Sequence, residues 1–322
     1  EIMADLPQTS DHLSDLSTED MLDQYGGEVE SQFAKASVMR QYVKIRPVRG
    51  TDTLVNNRVG RTQIQRLVPG VRPDATATNF GRVALTVDTV VLARDNRSML
   101  NEFQTHFDAR MELAVDHGKE LGKFFDQAFI IQSIKGSLAA APANLNGAIG
   151  AGQNKKLTAA GDELDPDKLY RGIADIIVQM EENEIPAEEM IIFVRPIQYD
   201  VLLSNNKLIS REYSGNGGDF AQGKVNTIKE VRIEKSVRIP TAAITNHHLS
   251  NNQNNNAYDV SSDEAKAVAV LLHPRSLLAG ETIPLSSDMW FNREEKQWFI
   301  DSFLSFGVTP NRPDLCGALF KA

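Results

Sequence analysis

Residues 99–129 read MLNEFQTHFDARMELAVDHGKELGKFFDQAF, and their spacing decides the fold. Met99, Phe103, Phe107, Met111 and Val115 recur every fourth position, and Leu121, Phe125 and Phe129 continue the stripe after a one-step drift. Glu102, Asp108, Arg110, Glu112, Asp116, Lys119, Glu120 and Lys123 fill the intervals. That recurrence belongs to a helix and not to a strand. It predicts one amphipathic rod of roughly 30–36 residues, about 45–54 Å long. No heptad seam runs its whole length, so it reads as a spine under a sheet, not a coiled coil. Its core side is Met99, Phe103, Phe107, Met111, Val115, Phe125 and Phe129. Gly118 and Gly122 leave room for a slight bend or for close packing.

Upstream, Val83, Leu85, Val87, Thr89 and Val91 alternate at period two, the mark of a strand with one apolar face. Residues 53–59 and 62–68 are short runs rich in Thr, Val and Arg, punctuated by Gly60 and Pro69-Gly70. The segment reads as a long β-hairpin. A projecting hairpin cannot bury both faces alone, and its open edges invite pairing unless something covers them. It is therefore expected to rest on a neighbouring subunit. Residues 1–16 are polar and acidic and lack a basic stretch followed by an apolar one, so no secretory signal is expected. Ser17 then reads as an N-cap ahead of Met21, Leu22, Val29 and Phe33, interrupted by Gly26-Gly27. Residues 1–45 are expected to form an extended arm with short helical pieces.

Downstream, residues 136–165 read as a long loop. Asp165-Pro166 opens a helix with the stripe Leu169, Ile173, Ile176, Ile177 and Met180, and Ile185-Pro186 stops it. Residues 190–194 form a fully apolar strand, and Pro196 starts a short helix with Tyr199, Leu202 and Leu203. Val231, Ile233, Val237 and Ile239 share a strand face, 246–263 is an Asn-rich loop, and 265–272 is a buried strand. Trp290, Trp298, Phe299, Phe303 and Phe306 bring the C-terminus back to the core. The fold class is α+β with a mixed sheet.

The 322 residues carry 34 Lys and Arg against 43 Asp and Glu, a net charge of -9, which argues against affinity built on neutralising DNA phosphates. One cysteine, Cys316, excludes an internal disulfide framework and any multi-cysteine zinc site. No apolar run is long enough for a membrane helix. Residues 218–225, GDFAQGKV, have P-loop glycine and lysine spacing, but valine stands where magnesium needs Ser or Thr, and no strand precedes them. A plain glycine loop is the expectation. His247 and His248 are expected to be exposed loop residues, and His106 and His117 lack an acid at ligand spacing. The acids at 162–167 sit at a helix start, where they favour its dipole, and those at 181–189 read as a solvated face. No catalytic, cofactor or metal residue is assigned. Arg58, Arg61, Arg66, Arg72 and Arg82 make the hairpin locally basic in an acidic chain, which fits docking on an acidic neighbour. With Phe33 on the arm, they are the residues expected at contacts between subunits.

Three local stretches carry a resemblance: Phe193-Val194-Arg195-Pro196-Ile197-Gln198-Tyr199 with Leu202-Leu203; Arg211-Glu212-Tyr213-Ser214-Gly215-Asn216-Gly217; and Arg312-Pro313-Asp314-Leu315-Cys316-Gly317-Ala318-Leu319. In this order, with the arm, basic hairpin and long helix, the chain resembles the major capsid proteins of tailed bacteriophages, specifically the short-tailed, T7-like group. The resemblance spans nearly the whole chain. It implies the HK97-like fold: N-terminal arm (1–45), extended loop (46–92), peripheral domain on the spine helix (93–189), axial domain (190–285) and a returning C-terminal segment (286–322). It further implies hexamers and pentamers in an icosahedral T=7 shell around double-stranded DNA that is enclosed without sequence-specific binding. The implied partners are further copies of the chain, a scaffolding protein, a portal protein at one vertex, and decoration or fibre proteins. Assembly would take place in the host bacterial cytoplasm, with no membrane partner. No covalent crosslink is expected. Deleting residues 1–35, or placing glycine at Val83, Leu85 and Val87, is expected to leave a soluble subunit that cannot close a shell. An encapsulin-like compartment shell enclosing cargo protein is the alternative on the same fold.

Overall fold

The structure, a computed structural model, describes residues 10–72, 77–98, 109–205, 208, 225 and 227–322. They form two compact units. Among the described residues, the first takes 10–38, 89–98, 109–125 and 282–306, and the second takes 39–72, 77–88, 126–205, 208, 225, 227–281 and 307–322.

In the first unit, helix α1 (Ser10–Ala36) is continuous through Gly26-Gly27. The expected break in the helix is thus corrected: Tyr25, Val29 and Phe33, one turn apart, are all buried, and tertiary packing overrides the low propensity of two glycines. The long helix α3 (Ala109–Leu138) follows strand β4 (Val91–Ser98), with the four-residue helix α2 (Met39–Tyr42) earlier in the chain. Met99, Phe103, Phe107 and His106 lie outside the described residues. Met111 and Val115 are half-buried rather than central. The core side of α3 here runs through Ala114, which the stripe omits, and through Leu121 and Phe125, which it includes. Ala114 joins Tyr25, Val29, Met289 and Ile300 in one cluster, while Phe125 meets Phe33 edge-on at 5.5 Å and Phe306 at 4.7 Å. The stripe drifts because α1 covers one side of α3. Gly118 and Gly122 make this possible: a Cβ at Gly118 would lie 2.6 Å from the Val29 carbonyl oxygen, and one at Gly122 would lie 2.8 Å from the Ala36 methyl. They serve close packing. β4 pairs antiparallel with β11 (Gln297–Pro310), from Gln297↔Ser98 to Leu304↔Val91.

The second unit is built on a six-stranded sheet in the order β5-β12-β9-β6-β8-β7. These strands are β5 (Gln153–Lys156), β6 (Ile191–Val194), β7 (Thr227–Ile228), β8 (Val231–Lys235), β9 (Ala267–Leu272) and β12 (Cys316–Phe320). β6 and β9, central and unbroken in apolar character, are buried at every position. Helix α4 (Pro166–Glu182) packs its expected stripe, Leu169 to Met180, into the same core. Asp165 caps it by accepting from the amides of Asp167 (3.0 Å) and Lys168 (3.2 Å). Helix α5 (Pro196–Leu203) follows β6. Val237, expected on the buried face beyond β8, is 63% exposed because the strand ends at Lys235.

The remaining strands are β1 (Ile45–Pro47), β2 (Thr53–Val59), β3 (Phe80–Thr86) and the long β10 (Leu277–Asn292), whose start pairs in parallel with β1. Cys316 is fully buried, and that burial pushes its thiol up to about 12. No described helix is long and apolar enough to cross a membrane.

Candidate subunit-interaction surfaces

β2 and β3 pair antiparallel as a two-stranded ribbon, from Thr53↔Thr86 to Val59↔Phe80. Residues 62–68 form no strand. The alternation from Val83 to Val91 is not one strand either: it divides between β3 and β4, which belong to different sheets.

The root of the ribbon is anchored in its own subunit. Leu85 and Val87 are buried with Val48 and Leu278, and Leu54 and Val83 pack against that cluster. Gly280 lets them in, since a Cβ there would sit 2.9 Å from Val48 and 3.3 Å from Leu54. Asn56 Nδ2 donates to Asn311 Oδ1 at 2.9 Å and Arg58 Nη2 to the Pro310 carbonyl at 3.4 Å. At the far end of the ribbon, the Gly60 amide donates to Asn79 O and the Arg61 amide to Leu145 O. Substituting Val83, Leu85 and Val87 therefore attacks the subunit's own core first. Deleting residues 1–35 likewise strips Tyr25 and Phe33 from theirs. Both expectations are corrected on that ground.

Past Gly60 the chain changes character. Ile64 is 97% exposed, and Leu67, Val68 and Val71 are exposed as well. Arg61, Arg66 and Arg72 stand among them in solvent, and Arg82 is exposed on β3. Arg58 differs: it is half-buried at the root, and burial lowers its pKa. Phe33 faces its own core, not an outer surface. The sequence does not reveal these exposed side chains, because a hairpin reading makes 62–68 part of a ribbon whose apolar face is covered.

An open cleft of about 690 Å³ lies beside the end of α4. Arg61, Glu184, Glu189, His273, Arg275 and Arg312 are among its lining residues. His273 Nδ1 accepts from the Arg275 amide at 3.1 Å, so Nε2 carries the proton and donates to Glu189 at 2.8 Å. Burial is the main cause lowering the His273 pKa, and it keeps the ring neutral.

Two further histidines are structural. His117 Nε2 donates to Asp95 at 2.9 Å, and its Nδ1 accepts the Tyr25 hydroxyl at 2.7 Å. Burial pushes Tyr25 up to about 12. His247, expected to be exposed, is buried and stacked on Tyr258, with ring centroids 5.7 Å apart. Desolvation brings its pKa down to about 4. Among the described residues no group of three or more His, Cys, Asp and Glu could hold a metal ion. The P-loop-like stretch 218–225 falls outside the described residues except for Val225.

A family model described as "Gp10A-like: Major capsid protein" matches residues 86–276, more than half of the chain. Among curated proteins, none matches. Among solved structures, the chain is similar to one in the asymmetric unit of the bacteriophage PhiM1 mature capsid, at 27% identity and TM-score 0.78, over 89% of this chain and 87% of that one. It is similar to the capsid of the cyanophage P-SCSP1u at 18% identity and TM-score 0.79, over 89% and 88%. It also resembles a virus-like particle from Pyrococcus furiosus at 10% identity and TM-score 0.54, over 92% and 98%. The last two likenesses, at low identity, concern the fold alone.

Proposed function

Because the chain belongs to the Gp10A-like major capsid protein family and has the HK97-like capsid fold, we propose that it assembles as hexamers and pentamers into a T=7 shell around the double-stranded DNA of a short-tailed, T7-like phage. The family is one of structural, shell-forming proteins, so the activity to explain is self-association and not catalysis.

The observation that carries the reading is the loop past Gly60. Four large apolar side chains and three arginines stand in solvent there, on a ribbon rooted in its own subunit. Large apolar side chains left exposed close together along the chain, beside charged ones, point to an interaction site. A second copy covers it, apolar side chains supplying area and guanidinium groups setting register. Copies arranged head to tail close into rings only if the rotation fits. One sequence that forms rings of both five and six needs a contact that yields, and a loop whose apolar side chains stand in solvent beyond a fixed root supplies it. A scaffolding protein and a portal protein complete assembly in the bacterial cytoplasm. The net charge of -9 limits adhesion to the enclosed DNA.

Electron microscopy of the chain expressed alone and with a scaffolding protein tests this. Closed megadalton particles are expected, and none should form when residues 62–78 are replaced by a short Gly-Ser linker. Small oligomers under every condition would refute the reading. An encapsulin-like shell is the second reading, favoured by the fold shared with the P. furiosus particle. It requires purified particles to hold a protein cargo and no genome-length DNA.

A further inference from the structure

The cleft beside α4 has no part in that account. Its lining comes from separate stretches of chain: Arg61 at the foot of the loop, Glu182 and Glu184 at the end of α4, Arg275 between β9 and β10, and Arg312 with Asp314 just before β12. Some of these charges are satisfied within the subunit. Arg312 donates to Asp314 through Nε (3.3 Å) and Nη2 (2.6 Å), and Glu189 accepts from His273. Four are not. The side chains of Arg61, Arg275, Glu182 and Glu184 make no hydrogen bond or ion pair among the described residues. Two cations and two anions thus line one hollow without neutralising each other. The four are exposed around the open cleft, and the matching ligand is a surface that carries both signs.

We infer that the cleft is an ion-pair socket filled by a second copy of this chain, which inserts a segment bearing an acid and a base. The inference rests on the shell reading, in which every copy is surrounded by others. Arg61 ties the two surfaces together, because it lines the cleft and begins the exposed loop. A copy held by the loop therefore lies against the mouth of the socket. Complementary charges of this kind reject wrong partners and fix register more than they add raw affinity. None of the four makes an ion pair inside the subunit and all are exposed, Arg275 only helping to lower the His273 pKa, so reversing one has little effect on the subunit's folding.

The test combines charge reversal with crosslinking. Arg275→Glu and Glu184→Arg subunits should keep the unmodified melting temperature and circular dichroism, while the yield of closed particles falls at least tenfold. A photo-reactive phenylalanine analogue in place of Asn183, which lines the cleft, should crosslink to another copy within particles. Mass spectrometry of particles mixed from heavy- and light-isotope chains separates crosslinks between copies from those within one. Normal particle yield from Arg275→Glu overturns the inference, and so do crosslinks confined to one chain or leading to a different protein. Particle formation by the unmodified chain tests the shell reading separately, before any cleft variant is made.

Discussion

Replacing Leu85 by alanine separates the anchored part of the extended segment from the free part. Leu85 is 5% exposed and packs with Val48, Val87 and Leu278 at the root of the ribbon. The truncation removes about three carbon groups at ~0.8 kcal/mol each, or about 2.4 kcal/mol of transfer free energy. Its neighbours include two residues that cannot reach in to fill the hole: a Cβ on Gly307 would sit 3.1 Å from one Leu85 methyl and a Cβ on Gly280 3.4 Å from the other. A residual cavity adds to the cost, which brings the expected loss to about 3–4 kcal/mol. For a folding unit of this size that lowers the melting temperature by about 6 °C or more. Ile64→Ser is the control. At 97% exposure it should change stability by no more than about 0.5 kcal/mol, yet it should prevent closed particles. Calorimetry on unassembled subunits gives the first quantity, and particle yield gives the second. If Leu85→Ala melts with the unmodified subunit, or Ile64→Ser melts as early as Leu85→Ala does, the division into buried root and exposed loop is wrong.

Gly118→Ala forces a methyl to within 2.6 Å of the Val29 carbonyl, so α1 must shift. The expected cost is about 1–3 kcal/mol, with hydrogen-exchange protection lost across α1 and kept in β9; full protection of α1 would contradict the packing described. Acid should weaken the fold through His247. Its folded pKa of about 4 lies below the ordinary 6.5, so between those values the unfolded chain binds the extra proton. The stability from the neutral ring is complete above about pH 6.5 and is lost as pH falls towards 4. His273, also lowered, acts in the same direction. Urea midpoints measured from pH 7 to 4 should fall, and less steeply in His247→Asn; an identical slope in that variant would count against the assignment.

Much of the fold is readable wherever a local signal and its tertiary partner agree. Thr53–Val59, the Asp165 cap and the apolar strand at 191–194 are formed as their sequences imply. Conflict arises where a local rule meets packing that the sequence does not display. Gly26-Gly27 argues for a break, but Tyr25, Val29 and Phe33 bury one face and hold the helix together. The 16-residue strand β10 mixes exposed and buried positions, and the 14-residue β11 is buried or half-buried throughout, so neither gives a strict alternation to count. The candidate surfaces were half visible. The arginines stood out in an acidic chain, whereas the cleft gathers Glu184, Arg275 and Arg312 from distant stretches and leaves no local trace.

The burial of Cys316 has a practical consequence. At neutral pH a thiol held near 12 and closed to solvent reacts negligibly with maleimides, because the thiolate is the nucleophile. With no other sulfhydryl in the chain, a cysteine introduced at Lys296 would accept a fluorophore or spin label against a silent background. Distances between copies could then be followed by energy transfer while particles form, with no native residue removed to clear the way.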